Sequence, residues 1–139
     1  MLTRNVIALL MLAFAAAAIG GPPGTIVDSS DLAKGARLSV RYDDGDKSFQ
    51  GDRESVDSMI AVFNYLAGFR SCAILTEHVT GGNAPFLLPK ENFSVLQVVR
   101  VVDKYIADHP ERMDDPPGVI VWNALNQGFP NKGFKKPDN

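Results

Sequence analysis

The chain of 139 residues has one cysteine, two histidines and one tryptophan. A single Cys72 cannot form a disulfide within the chain, so any core must hold without a covalent staple. Positive charge is not in excess either. Fourteen Lys and Arg against 16 Asp and Glu give a formal charge of −2, and no basic patch is interleaved with aromatic residues. Nucleic acid is therefore not an expected partner. The short KGFKK near the C-terminus reads as part of a solvated tail. No cysteine follows the apolar N-terminal run, so the attachment site of a lipoprotein is absent.

What is present begins with MLTRNVIALLMLAFAAAAIGG. Arg4, the unbroken apolar run Val6 to Ile19 and the small residues after it form the pattern of a secretory signal peptide over residues 1–21, with cleavage near Ala18 to Gly21. The alternative is an uncleaved N-terminal anchor, although the run is short of the roughly 20 residues that a membrane span needs. After cleavage no membrane association is expected. Residues 22–131 read as one domain and residues 132–139 as a polar tail. Without Arg4 the exported part has 13 basic and 16 acidic residues, a formal charge of −3. A chain of that size buries about two-thirds of its surface, enough for a core. Cys72 is either a buried small hydrophobe or pairs with another chain, and the apolar Ala73, Ile74 and Leu75 after it favour burial.

Four segments read as helices and none as a strand, which predicts an all-α, compact bundle of about four helices. The first spans roughly Ser30 to Tyr42, with Ser29, Ser30 and Asp31 as candidate N-caps and Gly35 as a weak point. DDGDKSFQGD then breaks the pattern with turn residues. The second spans about Arg53 to His78. Val56, Ile60, Phe63 and Ala67 form one apolar stripe, and Met59, Val62, Leu66 and Ala73 form another. Two adjacent stripes predict a wide apolar face and the central helix of the bundle. Gly68 costs stability there unless another helix approaches closely.

The third helix opens on a capping box, Ser94 with Gln97. Val95, Val98, Val99, Val102, Tyr105 and Ile106 follow at spacings of three and four, and Pro110 closes the element after His109. For the fourth, Asp115 offers a cap and Pro116 suits the first helical position. Ile120, Trp122, Ala124, Leu125 and Phe129 supply its apolar residues, and Gly128 and Pro130 end it. The loop TGGNAPFLLPKEN, apolar and bounded by prolines, is expected to pack down on the bundle.

No catalytic, cofactor or metal constellation emerges. Six helical steps of about 100° put Cys72 and His78 some 240° apart, which argues against a paired nucleophile and base. His109 suits a helix C-terminus, where a protonated imidazole favours the dipole. DDGD at 43–46 lacks the ligand order of an EF-hand loop, and TGGN lacks the lysine of a phosphate-cradling loop. The chain is accordingly not read as an enzyme.

The segments PFLLPKENFSVLQVVRVVDKYIADHPE and GVIVWNALNQGFP resemble the signature half of the Rap/Tai immunity family. Phe86, Leu88, Pro89, Gln97, Lys104, Tyr105, Ile106, His109, Pro110 and Glu111 fall on the family pattern. So do Ala124, Leu125, Phe129 and Pro130, and NYLAGF at 64–69 is similar to a further segment. The resemblance covers about residues 56–130. Val62, Leu87 and Asn131 stand where the family usually has cysteines, which implies that its disulfides are missing here and that the C-terminal clip is gone.

The resemblance implies a small periplasmic inhibitor. It would bind a peptidoglycan amidase effector delivered by type VI secretion, with a second copy of itself as a further partner. Contacts are then expected on loops held by the bundle: Asp43, Asp44 and Asp46 in the turn, and Asn83, Phe86, Lys90 and Glu91 in the loop. An acidic surface would speed encounter with a basic effector. The competing readings are a periplasmic stress or chaperone-like helical protein, and an envelope domain of the same fold with another partner.

Overall fold

In the computed structural model, residues 25–91 and 93–135 are described. The expected signal peptide and its cleavage stretch lie outside them, as does the end of the expected tail. Among the described residues the architecture is an all-α bundle of four helices: α1 (Ser29–Asp43), α2 (Arg53–Val79), α3 (Val95–Asp108) and α4 (Pro117–Gly128). A single 3-10 turn, Pro110–Arg112, joins the last two.

The capping box of α3 forms as expected. Ser94 Oγ accepts from the Gln97 amide at 3.3 Å and Gln97 Oε1 accepts from the Ser94 amide at 2.7 Å. Reciprocal caps of this kind fix a helix start, and they settle a valine-rich run that propensity alone would allow as strand. At the other end the His109 amide donates to the Tyr105 carbonyl at 2.9 Å, and Pro110 starts the 3-10 turn. Val98, Val99 and Val102 are fully buried. Burying each such side chain contributes about 1.5–3 kcal/mol. α1 and α3 each pack on all three other helices, whereas α2 packs mainly on α1 and α3; the wide apolar face had predicted the central place for α2.

Two starts differ from expectation. The cap of α1 is Asp28, whose carboxylate accepts from the Asp31 amide at 2.9 Å while Asp31 reaches back to the Asp28 amide. Ser29 thereby falls inside the helix, is buried, and donates from its Oγ to the Asp115 carbonyl. That carbonyl precedes α4, which starts one residue later than predicted: Pro116 is the N-cap and Pro117 the first helical residue. The Asp115 side chain does not cap; it forms an ion pair with Arg112 at 2.8 Å.

α2 departs most. Val62 and Leu66 are fully buried, but Ile60 is 52% and Phe63 37% exposed, so the first predicted stripe faces outward. Among the described residues α2 is the one helix long and apolar enough to cross a membrane, with 17% of its most apolar window buried. Gly35 of α1 faces Val62: a Cβ there would overlap Val62 Cγ2 and sit 2.5 Å from the Ser58 carbonyl oxygen. The glycine expected to weaken α1 is what lets the two helices touch. Among the described residues nothing lies within 4 Å of the Cβ that Gly68 lacks. No close helix among them offsets its cost, and Gly68→Ala should stabilise the domain by about 0.5–1 kcal/mol, read from the urea midpoint.

The loop before α3 packs down, with strand-like alternation. Ala84, Phe86, Leu88 and Phe93 are buried, while Pro85 and Leu87 between them are not. It pairs antiparallel with the chain after α4 through Leu87 N to Phe129 O at 3.1 Å and Asn131 N to Pro85 O at 3.1 Å. Asn131 also donates from Nδ2 to the Gly82 carbonyl at 3.0 Å and the Ala84 carbonyl at 2.7 Å. The chain after α4 is thus held to the loop at Asn131 by hydrogen bonds alone. The start of the expected tail is held as well: Asn83 exchanges hydrogen bonds with the Lys135 backbone at 2.9 and 3.2 Å.

Candidate functional site

The acidic turn grows from the C-terminal end of α1. Gly45 adopts a φ of 100°, a left-handed backbone that reverses the chain between Asp44 and Asp46. Arg100 of α3 reaches over and holds both Asp43 and Asp44, each at 2.5 Å. These hydrogen bonds, to Asp43 first and Asp44 second, raise the pKa of its guanidinium. Asp46 pairs with Arg41 at 2.5 Å and accepts from the Ser48 hydroxyl at 2.6 Å and the Ser48 amide at 3.0 Å. Lys47 lies 3.2 Å from the centre of the Tyr42 ring and donates to the Tyr42 carbonyl. Gln50 donates to the Tyr42 hydroxyl at 3.1 Å. The turn is therefore an ordered, charge-compensated knob rather than a loose acidic loop.

The Ser48 hydroxyl and amide, followed by Arg41, lower the Asp46 pKa from 3.8 to about 2. A carboxyl whose folded pKa is depressed stabilises the turn fully above its unfolded value and loses that contribution as pH falls through the folded one. Protection of the Ser48 amide from hydrogen exchange should accordingly fade between pH 3.8 and about 2. Asp46→Asn should remove that pH dependence.

Beside the turn lies a shallow groove of about 460 Å³ between α1, α2 and the first turn of α3. Tyr42, Met59, Ile60, Phe63 and Leu96 line it, with Asp43 on its rim. Three of these, Tyr42, Ile60 and Phe63, are exposed. Sequence reasoning placed Ile60 and Phe63 in the core. The signal that could have found them is the uniform apolarity of α2 itself, since a helix apolar all round needs more neighbours than the described helices give.

The loop residues expected to share the contact lie elsewhere. Phe86 is a core side chain, 5% exposed, stacked edge-on against Trp122 at 5.1 Å. Asn83 is engaged in holding Lys135. Lys90 is exposed, 3.7 Å from Glu77 near the far end of α2, and Glu91 is exposed. At 1.5 Å of rise per residue, Glu77 lies about 20 Å along α2 from Phe63. Within one protomer the acidic turn and the Lys90 patch are thus two sites, not one.

Cys72 is free and half-buried, less covered than expected. His109 caps α3 with its ring 4.5 Å from that of Tyr105, Nδ1 3.3 Å from Glu111 and Nε2 3.2 Å from Gln127. Among the described residues no three His, Cys, Asp or Glu side chains cluster to hold a metal ion. The arrangement offers an ordered, charge-compensated knob beside an apolar groove, a surface suited to contact with another protein. No protein-family model, curated protein or solved structure matches the chain.

Proposed function

We propose that the protein is a periplasmic immunity protein that binds a peptidoglycan amidase effector of type VI secretion and inhibits it by occupying its cleft. The observation that carries this reading is the run of residues from Phe86 to Pro130 that resembles the Rap/Tai family. The knob of Asp43, Asp44 and Asp46 adds support, because it is held rigid by Arg100 and Arg41 and stands next to exposed apolar side chains. A pre-ordered contact loses little entropy on binding.

The test is inhibition. The purified chain, added in stoichiometric excess to an amidase encoded beside it, should abolish peptidoglycan cleavage. Double charge reversal at Asp43 and Asp44 should weaken the complex at least tenfold. An amidase left fully active by excess protein would refute the reading for that pair. The exposed apolar face of α2 favours one other reading, a chaperone-like envelope protein. Protection of an unfolding client as pH falls, without inhibition of the amidase, would favour that instead.

A further inference from the structure

Among the described residues Arg37, Arg41, Arg53, Arg100 and Arg112 are each paired with a carboxylate of the chain. Arg70 is the exception. It stands in the middle of α2, and no other charge lies between Asp57 and Glu77 on that helix. Its Nε is buried and has no acceptor. A guanidinium carries five N–H donors and accepts nothing. A buried donor without an acceptor is rare in a folded protein, and an acceptor from outside the chain is one way to satisfy it. Nη1 and Nη2 are not enclosed. The stem is thus held by the fold while the charged head faces outward.

Arg70 is seven residues from Phe63 and seven from Glu77. Seven steps of the helix turn by only about 20° short of two full circles, so the three share one flank of α2. Phe63 is 37% exposed and lines the groove beside the acidic turn. Glu77 faces Lys90 at 3.7 Å. Ile74, one turn beyond Arg70, is 44% exposed. The unpaired cation therefore has an exposed apolar side chain before it and another after it.

On the reading of the chain as an inhibitor, we propose that Arg70 anchors the contact and takes an aspartate or glutamate side chain of the effector end-on through Nη1 and Nη2. Guanidinium and carboxylate match as two parallel hydrogen bonds. Phe63 and Ile74 exclude water from the pair as the partner closes, and an ion pair contributes more there than in bulk solvent. A head already held by its stem loses little freedom on binding. Phe63 and Glu77 each lie about 10 Å from Arg70 along α2. A partner laid on this flank meets the groove at one end and Lys90 at the other, which makes the two separated patches the ends of one strip. A lipid surface fits less well, since helices lying on lipid carry several Lys or Arg beside their apolar side. From Met59 to Thr76, α2 has only Arg70.

The probe is the amidase encoded beside the chain, with binding read by calorimetry and by dissociation rate. Arg70→Gln removes the charge and keeps most of the stem; it should weaken the complex at least about thirtyfold, mainly through faster dissociation. Arg70→Lys keeps the charge and loses the planar fork, and should weaken it about tenfold. Arg53→Gln, at the start of α2 where the side chain is 95% exposed, should leave affinity within about twofold. The free Arg70→Gln domain should unfold at a urea midpoint no lower than the wild type, because only an unmet donor is gone. In Arg70→Glu, replacing one acidic residue of the amidase by lysine should restore binding at a single position. Wild-type inhibition that Arg70→Gln retains within twofold would overturn the proposal and leave the inhibitor reading standing. A wild type that leaves the amidase active would overturn both. A lowered urea midpoint would assign Arg70 to the fold. A wild-type oligomer that Arg70→Gln dissociates would assign it to a second copy, and binding to anionic vesicles lost with the charge would assign it to lipid. Each of these overturns the proposal too.

Discussion

Gly35→Ala should destabilise the domain by about 2–3 kcal/mol, although alanine is the better helix former by about 1 kcal/mol. The added methyl has no room. It would overlap Val62 Cγ2 and lie 2.5 Å from the Ser58 carbonyl oxygen. Neither neighbour retreats cheaply: the carbonyl is α2 backbone, and Val62 is β-branched, fully buried and stiff at χ1. Relief requires α1 and α2 to separate. That loosens Leu32 and Ala36 as well as Val62, all fully buried in the same core. Urea denaturation of Gly35→Ala beside Gly68→Ala tests the account with the same chemical change at two places. A Gly35→Ala protein as stable as Gly68→Ala would show that the helices are not in contact there.

How much of this was legible follows from how local each cause is. The start of α3 was readable because Ser94 and Gln97 are three residues apart and satisfy each other. Its stop was readable because Pro110 acts on its immediate neighbours. The start of α1 was blurred by four cap-forming residues in succession, Asp28 to Asp31, and tertiary contact chose among them: Ser29 is drawn inward to the Asp115 carbonyl. Gly35 read as a flaw because its reason for being there is on another helix. The acidic turn was recognisable as a turn, but the arginine that holds Asp43 and Asp44 sits 57 and 56 residues away. Phe86 was placed on a surface because it lies in a loop. Its burial follows from the pairing of that loop with Phe129 and Asn131, and no local pattern announces such a pairing. The two stripes of α2 were both visible, yet periodicity reports only that a face is apolar. Which face is covered depends on how many neighbours exist, and the described helices cover one of the two.

Leu66→Ala should therefore cost about 2–5 kcal/mol, the range for a fully enclosed leucine. Phe63→Ala, one turn away, should cost about 1 kcal/mol or less at low concentration, although a buried phenylalanine would cost about 3–5 kcal/mol. The side chain that is larger by volume makes the smaller contribution to the protomer, because Phe63 is 37% exposed and Leu66 is fully buried. Thermal midpoints of the two variants beside the wild type check the contrast. An equal loss from both would mean that both stripes of α2 are core.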